Sequence, residues 1–227
     1  MSFADALDVL LEDNHCLAVN KPAGWPTTHF DGTDETVDRL VKAYLKEKYG
    51  KPGNVFLGVV HRLHKPVSGA LLFARTSKAA ARLSEQFRAG AVEKTYWAVV
   101  EAALPDAGAF EDHLKKDDDA ARVEVVPAGT PGSQLARLLY TVRARHGGQA
   151  LLELRPHTGR KHQLRVQLAS RGAPIYGDAK YGSRHALGPA IGLHARALTF
   201  LHPTSKNPTT VTAAVPPPWR GRFARLL

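Results

Sequence analysis

Four of the five residues from His61 to Lys65 carry nitrogen-bearing side chains: His61, Arg62, His64 and Lys65 surround a single leucine, Leu63. Imidazole moves protons near neutral pH, while guanidinium and ammonium groups hold anions through charge-assisted hydrogen bonds. Pro66 and the Ser68-Gly69 step follow, then an apolar run of strand length, Ala70–Ala74. A polar, cationic loop is therefore held at the edge of a buried strand, a common way for a scaffold to carry a site. The same composition also describes a solvated basic turn with surface or core-satisfied histidines.

A second concentration of such groups is His157-Thr158-Gly159-Arg160-Lys161-His162-Gln163-Leu164-Arg165. Thr158 or Gly159 is placed to cap a helix running through Arg165 to Ser170, with Gly172 ending it. Arg160, His162 and Arg165 then lie near a helix N-terminus, whose N–H groups favour an anion. A generic basic helix end gives the same pattern. Lys21 opens the rigid turn Lys21-Pro22-Ala23-Gly24 and is either a phosphate contact or an ordinary exposed lysine. Tyr96 lies in the β-rich run Glu93–Val100, where a half-buried strand tyrosine is common.

Composition narrows the classes. The 31 Lys+Arg against 21 Asp+Glu give a net charge of +10, which suits a polyanionic partner such as nucleic acid or describes a merely basic protein. The single cysteine, Cys16, excludes an internal disulfide and a Cys-rich zinc module. No His-Glu-x-x-His or Cys-x-x-Cys spacing supports a metalloenzyme, and no Gly-x-Ser-x-Gly elbow surrounds Ser68. No apolar run approaches the ~18 residues of a membrane span. The acidic N-terminus lacks the charge of a signal peptide, so a cytoplasmic protein is expected. With 227 residues, 44% of them hydrophobic, the chain can bury a core for one large domain or two small ones.

The elements that position these residues follow from periodicity and punctuation. Apolar spacing predicts a helix over residues 34–49, stopped by Gly50 and Pro52, and a strand over 55–60 leading into the first loop. Thr76 caps a helix over Ser77–Ala89, with Gly90 as its stop. Residues 106–132 give no clear pattern; Lys115 to Asp119 reads as charged turn and 127–133 as loop. Leu138–Arg145 and Ala150–Arg155 form a hairpin about His146-Gly147-Gly148.

Taken together, these motifs resemble the RluA-type pseudouridine synthases, which isomerise uridine in RNA. The family's His-Arg-Leu-Asp…Ser-Gly loop is matched at His61, Arg62, Leu63, Ser68 and Gly69, but His64 stands where the family carries its catalytic aspartate. Lys21-Pro22-Ala23-Gly24 matches the N-terminal element, and Lys94 and Tyr96 match a Lys-x-Tyr element. Thr158 to Arg165 matches Thr-Gly-Arg-x-His-Gln-(Ile/Leu)-Arg, and Gly172 to Gly182 matches Gly-x-Pro-Ile-x-Gly-Asp…Tyr-Gly. Leu193-His194-Ala195 and His202-Pro203 match the last element. The resemblance covers roughly Leu10 to Trp219.

It implies an α+β fold: a mixed, largely antiparallel central sheet flanked by helices, in one catalytic domain over 1–227 with no separate N-terminal RNA-binding domain. It implies a monomer acting on tRNA or rRNA, with no membrane and no cofactor. Arg62 would occupy the gap left by an extruded nucleotide, and Tyr96 would meet the base or sugar. Arg160, Lys161 and Arg165 would hold phosphates, with His61, Lys65, Lys21 and His162 as further RNA contacts. Arg165 also matches the arginine that keeps the family's aspartate ionised. A carboxylate is small, anionic and able to stabilise positive charge growing at C1′, whereas His64 is bulkier and brings no negative charge. Beside Arg62, Lys65 and Arg165 its imidazole is expected to be mostly neutral. The expectation is a correct scaffold with impaired isomerase activity or, alternatively, a silent RNA-binding or RNA-chaperone relative. Asp178 is the only motif acid that could substitute, and its place in the motif is a structural one.

Overall fold

The computed structural model describes residues 7–28, 35–117 and 122–227. In chain order the elements begin with β1 (Val9–Glu12), β2 (Cys16–Lys21), α1 (Val37–Lys48), β3 (Gly58–Val59), β4 (Ser68–Ala74), α2 (Ser77–Arg88) and β5 (Glu93–Val100). They continue with β6 (Ala107–Asp117), β7 (Arg122–Val126), β8 (Gln134–His146), β9 (Gln149–Pro156) and α3 (Gln163–Ala169). After a 3₁₀ turn at Ala179–Tyr181 come β10 (Leu193–Leu201), β11 (Pro208–Thr212) and α4 (Pro217–Arg222). The fold is α+β with largely antiparallel strand pairing, as expected. Among the described residues no helix is long and apolar enough to cross a membrane.

The chain divides into two compact units: the described residues of Met1–Glu93 with Ala195–Pro216, and those of Lys94–His194 with Pro217–Leu227. In the first, the strands run β1-β2-β4-β10, with β3 on β4 and β11 on β10. Every residue of β4 is buried, so its run of small and apolar side chains is what a central strand requires. Cys16, Ala18, Leu72, Ala74, Phe200 and Val211 form the core with Ala79 and Leu83 of α2. A leucine removed from water in this way contributes roughly 2 kcal/mol. Thr76 caps α2 by accepting from the Ala79 N–H at 3.2 Å. Helix α1 is shorter than the expected 34–49: it begins after Thr36, Gly50 (φ 57°) follows its C-cap, and Asp34 lies outside the described residues.

The second unit is an antiparallel sheet in the order β5-β9-β8-β6-β7. Its β8–β9 hairpin turns through Gly147 and Gly148 at φ 57° and 78°, the left-handed pair that a two-residue hairpin turn demands. The stretch 106–132, which gives no clear sequence pattern, contains the long paired strands β6 and β7, and residues 115–117, read as turn, belong to β6. Phe110 and Leu114 alone of β6 are buried, so small and polar or charged residues fill the rest of its sequence and hide the strand signal. Asp118 and Asp119 of its charged run lie outside the described residues.

Candidate nucleic-acid interface

In the first unit the loop Val60–Val67 is pinned from behind. The Thr27 hydroxyl donates to the Leu63 carbonyl at 2.9 Å and accepts from the Leu63 N–H at 3.1 Å, a reciprocal clamp on a buried residue. The Lys65 carbonyl accepts from Gly24 N–H at 2.7 Å, and Val67 N–H closes a turn onto the His64 carbonyl at 3.0 Å. With Leu63 anchored inward, Arg62, His64 and Lys65 are all exposed. The side-chain cations of Arg62 and Lys65 meet no partner among the described residues. A rigid backbone carrying open positive charge holds its geometry before an anion arrives.

Two residues read as RNA contacts are structural. Lys21 is fully buried, and its ammonium donates to the carbonyls of Pro22 at 2.8 Å, Trp25 at 2.7 Å and Lys65 at 3.3 Å. No phosphate can approach it; it ties the Lys21–Gly24 turn to the cationic loop. Burial pulls its pKa down to about 7. His61 turns inward as well. β3 pairs with β4 only at Gly58↔Ala74 and Val59↔Phe73, and His61 Nε2 then accepts the next available β4 amide, Leu72 N–H, at 2.8 Å. Its ring stacks on Phe87 of α2 at 4.6 Å and 18°.

In the second unit the helix begins later than expected: α3 has only seven residues, and its N-cap is His162 at φ 54°, not Thr158 or Gly159. The turn before it is organised by buried Gln163, whose Oε1 accepts from Thr158 Oγ1 at 2.7 Å and Arg160 N–H at 3.1 Å. His162, expected to meet RNA, is buried with Nδ1 2.8 Å from the Tyr181 hydroxyl. That hydroxyl also accepts from Val123 N–H at 3.0 Å, so it links the His162 ring to β7. Arg165 is buried too. Its Nε and Nη2 bind both oxygens of Asp178 at 2.6 and 2.7 Å, and its guanidinium lies 4.9 Å from the Tyr181 ring centroid. It therefore makes no phosphate contact, and the carboxylate it meets within this unit is Asp178, itself 1% exposed. Arg160 and Lys161 are exposed, Arg160 with its Nε tied to the Leu135 carbonyl at 3.0 Å.

Tyr96 sits half-buried on β5 opposite Leu154, and burial pushes its phenol up to about 12, so it stays protonated. The turn at 172–182 joins α3 to β5: Asp178 holds Arg165, and Tyr176 N–H donates to the Val99 carbonyl at 2.8 Å. Asp13, Cys16 and His202 offer ligand atoms within 4.8 Å of one another. Yet Asp13 Oδ1 caps the His15 and Cys16 amides, His202 Nδ1 accepts from Ser205 N–H, and burial pushes the Cys16 thiol up to about 12. The group is a structural staple.

Sequence reasoning missed Thr27 and Gln163. Thr27 lies 36 positions from Leu63 and no local pattern announces it. Gln163 sits inside a recognised motif, and that was the available signal.

The description RNA pseudouridylate synthase fits residues 15–170 as a family match. The tRNA pseudouridine synthase C of Haemophilus influenzae is 34% identical over 233 residues, covering 94% of this chain and 95% of the relative. That of Pectobacterium carotovorum subsp. carotovorum is 34% identical over 239 residues, covering 97% of this chain, which spans 62% of the relative's length. The ribosomal large subunit pseudouridine synthase D of Xylella fastidiosa is 36% identical, covering 92% of this chain and 66% of the relative. The solved structure of human RNA pseudouridylate synthase domain containing 4 superposes with a TM-score of 0.82 at 26% identity, covering 98% of this chain and 95% of that one. The chain belongs to the RNA pseudouridylate synthase family. Within it, the type is the RluA one.

Proposed function

We propose that this protein binds structured RNA, tRNA or rRNA, as a cytoplasmic pseudouridine synthase homologue whose isomerisation is impaired by His64. The carrying observation is the loop apex: Arg62, His64 and Lys65 are exposed together on a clamped backbone, and the family's catalytic carboxylate is absent from it. Uridine isomerisation breaks the N1–C1′ bond, turns the base and joins C5 to C1′. That sequence needs an anionic group beside the sugar, as nucleophile or as stabiliser of positive charge. His64 supplies neither. Arg62 is in a position to fill the gap of an extruded nucleotide, and Arg160 and Lys161 offer further open charge to phosphates.

The test compares the protein as it stands with His64→Asp on total cellular RNA, quantifying pseudouridine by mass spectrometry. Restoring the carboxylate is expected to raise the rate by several orders of magnitude. Comparable product from both proteins would show that an imidazole or another group performs the chemistry, and would overturn this reading. The relatives' names point to tRNA and ribosomal RNA, so both pools are assayed.

A further inference from the structure

We propose that Lys94 and the bare backbone face at Gly159 form an anion subsite for one phosphodiester group of the bound RNA. The inference rests on the RNA-binding reading above and assigns a role to two residues that it leaves without one.

Position 159 holds a glycine. Glycine is required where φ is positive or where a Cβ would collide. Neither holds here. Gly159 does not adopt a left-handed φ, and a Cβ built on it would touch only Lys94 Nζ, at 3.8 Å, an ordinary van der Waals distance. The feature a side chain would change is the exposure of that ammonium.

Lys94 is itself unusual. It is half-buried on β5, and it shares a strand face with Tyr96 by the two-residue alternation. Its ammonium has no hydrogen-bond or ion-pair partner among the described residues. Burial lowers its pKa from the ordinary lysine value. A partly desolvated cation left unpaired costs stability, and a polar group held in such a position is explained by a ligand that pairs with it. The ligand needs a full negative charge and a small contact face to enter beside Gly159. Arg160 and Lys161 stand exposed directly after that glycine, so the approach is lined with positive charge. A phosphodiester satisfies both conditions.

The experiment measures binding of the full chain to unfractionated tRNA over a series of salt concentrations, for the parent, Lys94→Met, Lys94→Arg and Gly159→Val. Loss of one phosphate contact should weaken binding roughly tenfold and reduce the slope of log K against log salt by about 0.7 to 0.9. Lys94→Met should show both effects while its thermal midpoint stays level or rises, because an unpaired buried charge has gone. Gly159→Val should show them with Lys94 intact, by covering the ammonium, and Lys94→Arg should retain the slope. Salt-sensitive binding by the parent with unchanged affinity and slope in Lys94→Met and Gly159→Val would overturn the subsite and leave the RNA-binding reading standing. Weakened binding at an unchanged slope would also overturn it, since the lost contact would not be ionic. If Lys94→Met fails to fold, Gly159→Val decides the matter. A parent that binds tRNA without salt dependence would overturn both readings.

Discussion

Lys21 shows how a cation can serve a binding loop without touching a ligand. Its three donations reach Pro22, Trp25 and Lys65, so one ammonium fixes both the turn after β2 and the backbone under the exposed Lys65 side chain. Removing it takes away the donor that ties these three carbonyls together, and that of Lys65 keeps a second bond, from Gly24 N–H. Lys21→Met should therefore lower stability at pH 7 by about 2 kcal/mol, read from urea unfolding. The pH dependence has a definite sign. Burial holds the folded pKa at about 7, below the ordinary 10.5, so between these values the unfolded chain binds more protons. Stability contributed at this position rises with pH across that window. Lys21→Met should lose this rise, and an identical pH profile in parent and variant would refute the assignment. A lysine ahead of Pro-Ala-Gly carries no local sign of which way it points, and the same holds for His61 and His162. Their direction is set by partners far along the chain: Leu72 and Phe87 for His61, and Tyr181 for His162. The other residues of the same motifs, Arg62, His64, Lys65, Arg160 and Lys161, are exposed.

At the scale of elements, β4 decides where the cationic loop ends. Ser68 and Gly69 are its first two residues, and Gly69 pairs with Lys21 on β2. Gly69 has φ 117°, and a Cβ there would stand 2.3 Å from the Ala195 carbonyl oxygen of β10 and 2.6 Å from its nitrogen. Both conformation and space exclude a side chain. Gly69→Ala should cost upwards of about 3 kcal/mol, since strain and collision with backbone add and the neighbouring strand cannot turn aside. A urea midpoint within error of the parent would refute this. The comparison with Gly159, where a Cβ meets only a flexible ammonium, separates glycines kept for packing from one kept for access. Elements with strong local signals were legible: the apolar run of β4, the capped α2 and the β8–β9 hairpin with its paired glycines. The paired strands β6 and β7 were not, because the few inward side chains of β6 are set among small and polar or charged residues. The start of α3 was misplaced for a different reason. Thr158 has the chemistry of an N-cap, but its hydroxyl accepts from Arg137 N–H and donates to Gln163 Oε1, and His162 in the left-handed region begins the helix instead.

For the whole molecule, acid is the condition that should separate specific bonds from general charge. The chain carries +10 at pH 7, and protonating its 21 acidic residues adds to a positive excess that already opposes compaction. One carboxylate does more than dilute that excess. Glu12, at the end of β1, accepts from Lys48 Nζ at 2.7 Å, Tyr44 Oη at 2.7 Å and Tyr49 Oη at 2.7 Å, and meets Arg75 at 3.4 Å. It thereby joins α1 and the end of β4 to the first strand of its unit. Burial alone would raise its pKa, but the bonds from Lys48, Tyr49 and Tyr44 outweigh that and hold it at about 2, against 4.5 for the free side chain. A depressed carboxylate contributes stability above its unfolded pKa and loses it as pH falls through the folded one. The window is therefore pH 4.5 down to about 2, and with solvent screening of the Lys48 bond the contribution at neutral pH is about 1 kcal/mol. Glu12→Gln should lose that amount at pH 7 and show a shallower decline between pH 5 and 2, measured by urea unfolding at stepped pH. If the two curves instead fall in parallel, acid unfolding is governed by net charge, and the Glu12 junction contributes nothing to it.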